Sequence, residues 1–343
     1  MPCFSCLLVV FVCHHTRFPG RVFYFANATL VFMTDIKPEH IQEAVTTSGL
    51  QGYTGSYVEL GGGEVNDTFL LDCNDRKVIL RITRYHDVIN LEKEARTLQL
   101  LNLKSVPKLL FHDKSSRIFG RAWILETYVE GVMPVALTNE QYGSLGVLLA
   151  KIHKVKHTEQ TTFDLWSDFL YASKRFGSED RLMNHPDSRM KALINKAKPY
   201  LIDHTERFGH VQESLVHGDV TPSNILVLNN EVGLIDWEFS RFKDPMSDFS
   251  TAFYEDMEFN KGKWRVQITK PQKTALYDGY RQAGGVINEE RITMWMNHDK
   301  LGAAVYLWWL TNDSGRTDHS KAQRDQYILD LEALLSSLER NFI

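Results

Sequence analysis

The sequence predicts an α+β chain of two lobes, a small β-rich lobe followed by a larger, mainly helical one. Three observations lead there. Between Tyr57 and Ile82 apolar residues alternate in strand fashion around Gly61-Gly62-Gly63 and the turn pair Asn74-Asp75. After Glu130-Gly131 the apolar spacing becomes helical, beginning with Leu145, Leu148, Leu149 and Ile152. Set among those helices is a strand-rich stretch at 214–236 whose turns carry His217, Asp219, Asn224 and Asp236.

Taken in order, residues 1–32 read as a leader, either a disordered arm or a mis-extended start. Their apolar run Cys6–Cys13 has no basic segment before it and no small-residue cleavage site after it. Three of the four cysteines (Cys3, Cys6, Cys13) lie there with His14 and His15, but the second half of a zinc spacing is missing. Cys73 is left alone, as expected in a reducing cytoplasm. An amphipathic helix is expected at 36–48, and strands at 57–60, 68–71 and 77–82. A helix at 90–102 carries Leu91, Ala95, Leu98 and Leu101 on one stripe, and further strands run over 108–112 and 121–129. Helices are then expected at 142–154, 164–176, 187–208, 272–283, 289–311 and 320–341. The expected division is a nucleotide-binding lobe at 33–130 and a catalytic, acceptor-binding lobe at 131–343.

Composition limits the function classes. The chain has 343 residues, 43% hydrophobic and 24% charged, with a net charge of −4 and no basic stripe interleaved with aromatics. Neither a nucleic-acid partner nor a membrane partner is expected, and no apolar run approaches the roughly 18 residues of a span. The oligomeric state is not readable.

The chemistry lies in His217-Gly-Asp219-Val-Thr-Pro-Ser-Asn224 followed by Ile235-Asp236. Transfer of a phosphoryl group from Mg-ATP needs one Asp to hold the acceptor hydroxyl. It also needs an Asn and a second Asp to hold the metal on the phosphates. Asp219 fills the first role, Asn224 and Asp236 the second. His217 reads as a brace for the loop, and Asp248 as a cap that supports it from beneath.

Upstream, Gly61, Gly62 and Gly63 suit either a phosphate-cradling loop or a plain hairpin turn. Arg81, 18 residues on, can reach the phosphates with Glu94 orienting it, although Arg84 and Glu92 are competing partners. Glu126 and Tyr128 end a strand at the lobe junction, where backbone groups can pair with an adenine.

With these landmarks the chain resembles the aminoglycoside phosphotransferase/choline kinase family of small-molecule kinases, over roughly residues 55–255. The carriers are the Gly61–Asn66 loop, Val78-Ile-Leu-Arg81, Lys93-Glu94-Ala95, Leu145–His153, His217-Gly-Asp219…Asn224, Ile235-Asp236-Trp-Glu238 and Asp244-Pro…Asp248. The resemblance implies a protein-kinase-like two-lobe fold and ATP and Mg2+ as cofactors. It also implies Asp219 as the catalytic Asp, Asn224 and Asp236 as magnesium ligands, and an Arg81–Glu94 positioning pair. Arg81 departs from the lysine of the aminoglycoside enzymes.

Only 11 residues separate Asp236 from Asp248, too few for a segment that docks a peptide, so a small hydroxylated acceptor is expected. A polycationic aminoglycoside would seek carboxylates. From Ser240 onward 15 acidic residues face 14 basic ones, so only the local group Glu255, Asp256 and Glu258 offers an acidic patch. A choline-, ethanolamine- or thiamine-type acceptor would instead seek an aromatic cage, for which Trp308 and Trp309, with Tyr306 and Trp295, are candidates beside helix packing. Glu238 fits that second reading. A non-catalytic nucleotide-binding scaffold is the remaining alternative.

Overall fold

The structure is a computed structural model that describes residues 36–60, 66–83, 88–158, 163–174, 176–252, 268–312 and 321–342. The leader, Gly61–Gly63 and the Glu255, Asp256 and Glu258 group therefore lie outside the described residues.

The helix α1 (Pro38–Ser48) opens the fold with Pro at its first turn, where a missing N–H costs nothing. Five strands follow around α2: β1 (Tyr53–Glu59), β2 (Asn66–Cys73), β3 (Arg76–Thr83), α2 (Val88–Leu100), β4 (Leu109–Asp113) and β5 (Trp123–Thr127). They form one antiparallel sheet in the order β1-β2-β3-β5-β4. β3 is buried along Val78–Thr83, as the central strand of a sheet covered on both faces should be. One face packs Leu71, Val78, Leu80, Ile82, Trp123 and Leu125 with Ile41 and Val45 of α1. The predicted α2 stripe is buried at Leu91, Ala95, Leu98 and Leu101, but it belongs to the core of the helical lobe. The helix thus couples the two halves.

Past Gly131 come α3 (Asn139–Ile152), α4 (Leu165–Ala172), α5 (Glu179–Met183) and α6 (Ser188–Phe208). Then come β6 (Ser214–Val216), β7 (Ile225–Leu228), β8 (Glu231–Leu234), β9 (Arg241–Lys243), α7 (Ser247–Ala252), α8 (Lys270–Gln282), α9 (Glu289–Asn312) and α10 (Lys321–Phe342). β6 pairs with β9 and β7 with β8, each antiparallel. Among the described residues no helix is long and apolar enough to cross a membrane.

The elements agree with expectation in type, and the differences have local causes. α3 begins at Asn139 because Thr138 and Gln141 form a reciprocal capping box. The stretch expected as one helix at 164–176 ends at Ala172, and Ser178 caps the separate α5. β9 went unpredicted, being three residues long with two cations. α3 crosses α8 very closely: a Cβ on Gly146 would stand 2.1 Å from the Leu276 carbonyl oxygen, and one on Gly279 2.1 Å from that of Gly143.

Candidate active site

The polar residues of the 214–236 stretch converge through backbone hydrogen bonds. The hairpin β7–β8 returns the chain so that Ile235 lies beside the loop after β6. Ile235 N–H donates to the Asn224 carbonyl at 3.0 Å, and the Ile235 carbonyl accepts from His217 Nε2 at 3.0 Å. That acceptor has no proton, so Nε2 carries the hydrogen and Nδ1 is left to accept from Asp219 N–H at 3.2 Å. His217, fully buried against Trp237, is thus a one-tautomer brace between the Asp219 loop and the Asp236 turn.

Asn224 Nδ2 donates to Asp219 Oδ2 at 2.6 Å and to the Asp219 carbonyl at 3.0 Å. Its donors point at Asp219, so its amide oxygen faces the other way. Asp236 sits at φ +66, a left-handed conformation that costs a non-glycine residue about 1–2 kcal/mol. Such strain persists where the surroundings impose it, here the Ile235 contacts and Arg81. Gly218 also has positive φ, +77, and a Cβ there would lie 2.6 Å from the Phe239 carbonyl oxygen.

Beneath the loop Asp248, on α7, is fully buried. Its Oδ2 accepts from His217 N–H at 2.9 Å and from His153 Nε2 at 3.0 Å, and its Oδ1 accepts from Gly218 N–H at 2.8 Å. Burial works against its charge, but these donors outweigh burial and hold the carboxyl below its usual range. His153, giving its Nε2 hydrogen to Asp248, accepts from the Tyr280 hydroxyl at Nδ1, 2.9 Å away.

Arg81 is buried at the centre of the sheet's end. It pairs with Glu94 of α2, donates from Nη2 to Asp236 Oδ1 at 3.0 Å, and has Glu126 Oε1 4.0 Å from Nη1. Glu94 also accepts from Trp237 N–H at 3.3 Å. Burial opposes the guanidinium charge, yet Glu94, Asp236 and Glu126 together hold it more firmly protonated than usual. One cation cannot neutralise the two buried carboxylates Glu94 and Glu126 together with the partly exposed Asp236. Burial, with Glu94 and Asp236 nearby, pushes the Glu126 carboxyl up to about 8, against the pull of Arg81. Its Oε2 has no hydrogen-bond partner.

The expected pair Arg81–Glu94 is therefore brought together, and the competitor Glu92 is committed to Lys114 at 2.8 Å. Glu126 joins the Arg81 cluster through its side chain, because Arg81 pairs with Ile124 and Glu126 shares the Ile124 face of β5. Tyr128 cannot offer its N–H to a base, since that group donates to the Lys77 carbonyl at 3.4 Å. On the β4 side Thr127 N–H donates to the Lys108 carbonyl at 2.9 Å, and by strand alternation the Thr127 carbonyl and Val129 N–H face that side too.

The cage candidates have ring, cation and carboxylate neighbours of their own. Trp308 packs against Phe176 and His185, with centroids 5.6 and 4.4 Å away, and Trp309 against Tyr306 at 5.7 Å. Trp295 has Lys243 Nζ 3.8 Å over its ring and donates Nε1–H to Asp244 Oδ2 at 2.9 Å. Glu238, mostly buried, lies near enough to Arg81 to add to the field on it.

A family model described as the phosphotransferase enzyme family matches residues 56–295. No curated protein matches the chain by sequence. Similar solved structures include a candidate aminoglycoside phosphotransferase from Ralstonia eutropha, 16% identical over 88% of this chain and 97% of that one, TM-score 0.65. Another is APH(2")-IIa in its ternary complex with streptomycin and ATP, 16% identical over 91% and 100%, TM-score 0.60. A third is choline kinase LicA from Streptococcus pneumoniae, 16% identical over 87% and 98%, TM-score 0.59. The likeness to these structures shows the two-lobed kinase fold, and the family model covers most of the sequence. The chain belongs to the phosphotransferase enzyme family.

Proposed function

We propose that this phosphotransferase moves the γ-phosphoryl group of ATP to a hydroxyl of a small molecule. The observation that carries the reading is the shared frame of Asp219, Asn224 and Asp236. An Asn–Asp bond of 2.6 Å and two Ile235 backbone bonds of 3.0 Å hold all three. In that reading Asp219 orients the acceptor O–H and takes up its proton as oxygen attacks phosphorus and the bond to the β-phosphate oxygen breaks. Arg81, oriented by Glu94, meets the phosphates, and the Gly61–Gly63 loop covers them. Thr127 C=O and Val129 N–H meet the adenine.

The donor set fits magnesium: an Asn amide oxygen and an Asp carboxylate are hard oxygen ligands, with phosphate oxygens and water completing the shell. When bound, the ion neutralises charge developing on the transferred group. Asn224 is turned to supply its oxygen because its amide hydrogens are spent on Asp219. Arg81 already engages Asp236 Oδ1, which leaves Oδ2 as the oxygen for the metal.

For the acceptor we favour a polyhydroxylated molecule of the aminoglycoside kind over a quaternary ammonium one. Trp295 and Trp308, the cage candidates with the best reach, already face Lys243 and His185. The lobe boundary near residue 130 and a cytoplasmic setting, suggested by the buried free thiol of Cys73, belong to the same proposal. A thermal-shift panel with Mg-ATP and kanamycin, choline or thiamine tests the acceptor class. Stabilisation and acceptor-dependent ADP release with kanamycin alone are expected, and release with choline or thiamine alone would reverse the preference.

A further inference from the structure

A second cleft, of about 370 Å3, opens in the helical lobe between α4, β9 and α9. No residue of the Asp219–Asn224 loop or the Asp236 turn lines it. Its place follows from the β6–β9 ladder: Val216, nearest the catalytic loop, pairs with Arg241, and Ser214, at the other end, pairs with Lys243. The cleft lies along the face of that ladder that carries Arg241 and Lys243.

Its floor is an ion cluster with no part in phosphoryl transfer. Asp168 accepts from Lys243 Nζ at 2.9 Å and from Arg241 Nη2 at 3.2 Å, with Arg241 Nη1 in ion-pair contact at 2.9 Å and His298 Nε2 3.4 Å away. Burial opposes the charge on Asp168, but Lys243, Arg241 and His298 hold it well below the usual carboxylate range. Setting a lysine and an aspartate this deep costs several kcal/mol per ion before pairing repays it. The Arg241 fork spends one of its five N–H groups in a hydrogen bond to Asp168, and the side chain is still 36% exposed. The lining also includes two carboxylates, Asp164 and Glu213. Asp164 accepts three hydrogen bonds, from the N–H groups of Trp166 and Ser167 and from Ser167 Oγ, and a carboxylate has room for a fourth. Phe163, Tyr171 and Phe242 add aromatic surface to the lining.

From this arrangement we infer that the cleft binds a small zwitterion of the amino-acid kind with an apolar or aromatic side chain. Its carboxylate meets Arg241, its ammonium group meets Asp164 and Glu213, and its side chain lies against Phe163, Tyr171 and Phe242. The volume is at the small end of the 300–1,000 Å3 typical of ligand sites. The two charge signs distinguish this from a plain anion site, which would not place carboxylates on its rim.

The test is calorimetric titration of the full-length protein with three probes of one shape: L-phenylalanine, 3-phenylpropionate without the ammonium, and phenethylamine without the carboxylate. L-phenylalanine is expected to bind about tenfold more tightly than either single-charge analogue, one charge-assisted contact's worth. Arg241→Gln should abolish that preference. Should Arg241→Gln fail to fold, Tyr171→Ala replaces it, because Tyr171 is 63% exposed and removable without disturbing the core. It should weaken all three probes while leaving ATP binding unchanged. No binding of L-phenylalanine, equal binding by either analogue, or undiminished binding by the variants overturns the inference. Because the readout is binding without nucleotide, its failure leaves the phosphotransfer proposal untouched.

Discussion

Arg81 and Asp236 lie 155 positions apart in the sequence, and their side chains share a 3.0 Å ion pair. The contact joins the central strand of the sheet to the turn after β8. It ties the residue proposed for the phosphates to one proposed for the metal. The same guanidinium holds Glu94, so a single cation sets the relative position of sheet, α2 and metal turn.

Removing that cation takes away the charge that Glu94, Glu126 and Asp236 share. Arg81→Ala is expected to destabilise the fold by about 3–5 kcal/mol, the usual effect of breaking a buried pair from one side. Urea denaturation measures this. Arg81→Lys keeps the charge but not the fork, and should recover stability better than it recovers ATP affinity. Equal stability of Arg81→Ala and the parent would show that the cluster is not held by its cation.

Glu126 gives the protein a pH signature. Its folded pKa is raised, from an ordinary 4.5 to about 8, chiefly by burial. A raised carboxyl contributes stability that is fully present below the unfolded pKa and is lost as pH rises through the folded one. Stability should therefore fall between about pH 4.5 and pH 8 by more in the parent than in Glu126→Gln, which cannot ionise. Parallel stability–pH curves for the two proteins would contradict this.

Gly218 tests the packing of the catalytic loop. Gly218→Ala must meet both the left-handed backbone and the Phe239 carbonyl 2.6 Å from the new methyl. A loss of about 1–3 kcal/mol and a marked fall in kcat are expected. A melting scan and an ADP-release assay together measure it, and a variant with parental kcat would show that the loop tolerates displacement.

Asp248 holds that loop without facing the proposed reacting groups. Asp248→Asn can accept at only one of its two positions and loses the carboxylate that His153 and two backbone N–H groups share. kcat is expected to fall by more than tenfold with KM for ATP little changed. A rise in KM alone would move Asp248 out of loop positioning.

Much of this was legible in the chain. The His217…Asn224 and Ile235-Asp236 strings announced the loop because the roles need those side chains at close spacing, and the short β7–β8 hairpin leaves little freedom in how they meet. α2 was legible because Leu91, Ala95, Leu98 and Leu101 repeat at helical spacing. What was hidden depends on register and long-range pairing. Nothing local reveals that Glu126 lies on the Arg81 face of the sheet, since that follows from Arg81 pairing with Ile124. The engagement of Tyr128 N–H by Lys77 has the same origin. Trp308 and Trp309 read first as helix packing with a ligand cage as the alternative, and the sequence could not name their three-dimensional neighbours Phe176, His185 and Tyr306. The Asp168 cluster draws on α4, β9 and α9 and leaves no motif.

The most direct measurement compares the parent with Asp219→Ala in Mg-ATP, following phosphorylated product across a library of hydroxylated acceptors. The account predicts acceptor-dependent, stoichiometric ADP and phosphorylated product for the parent. For the variant it predicts a kcat lower by about a hundred- to ten-thousand-fold, with ATP affinity essentially kept. Product formed by Asp219→Ala at the parental rate would contradict it.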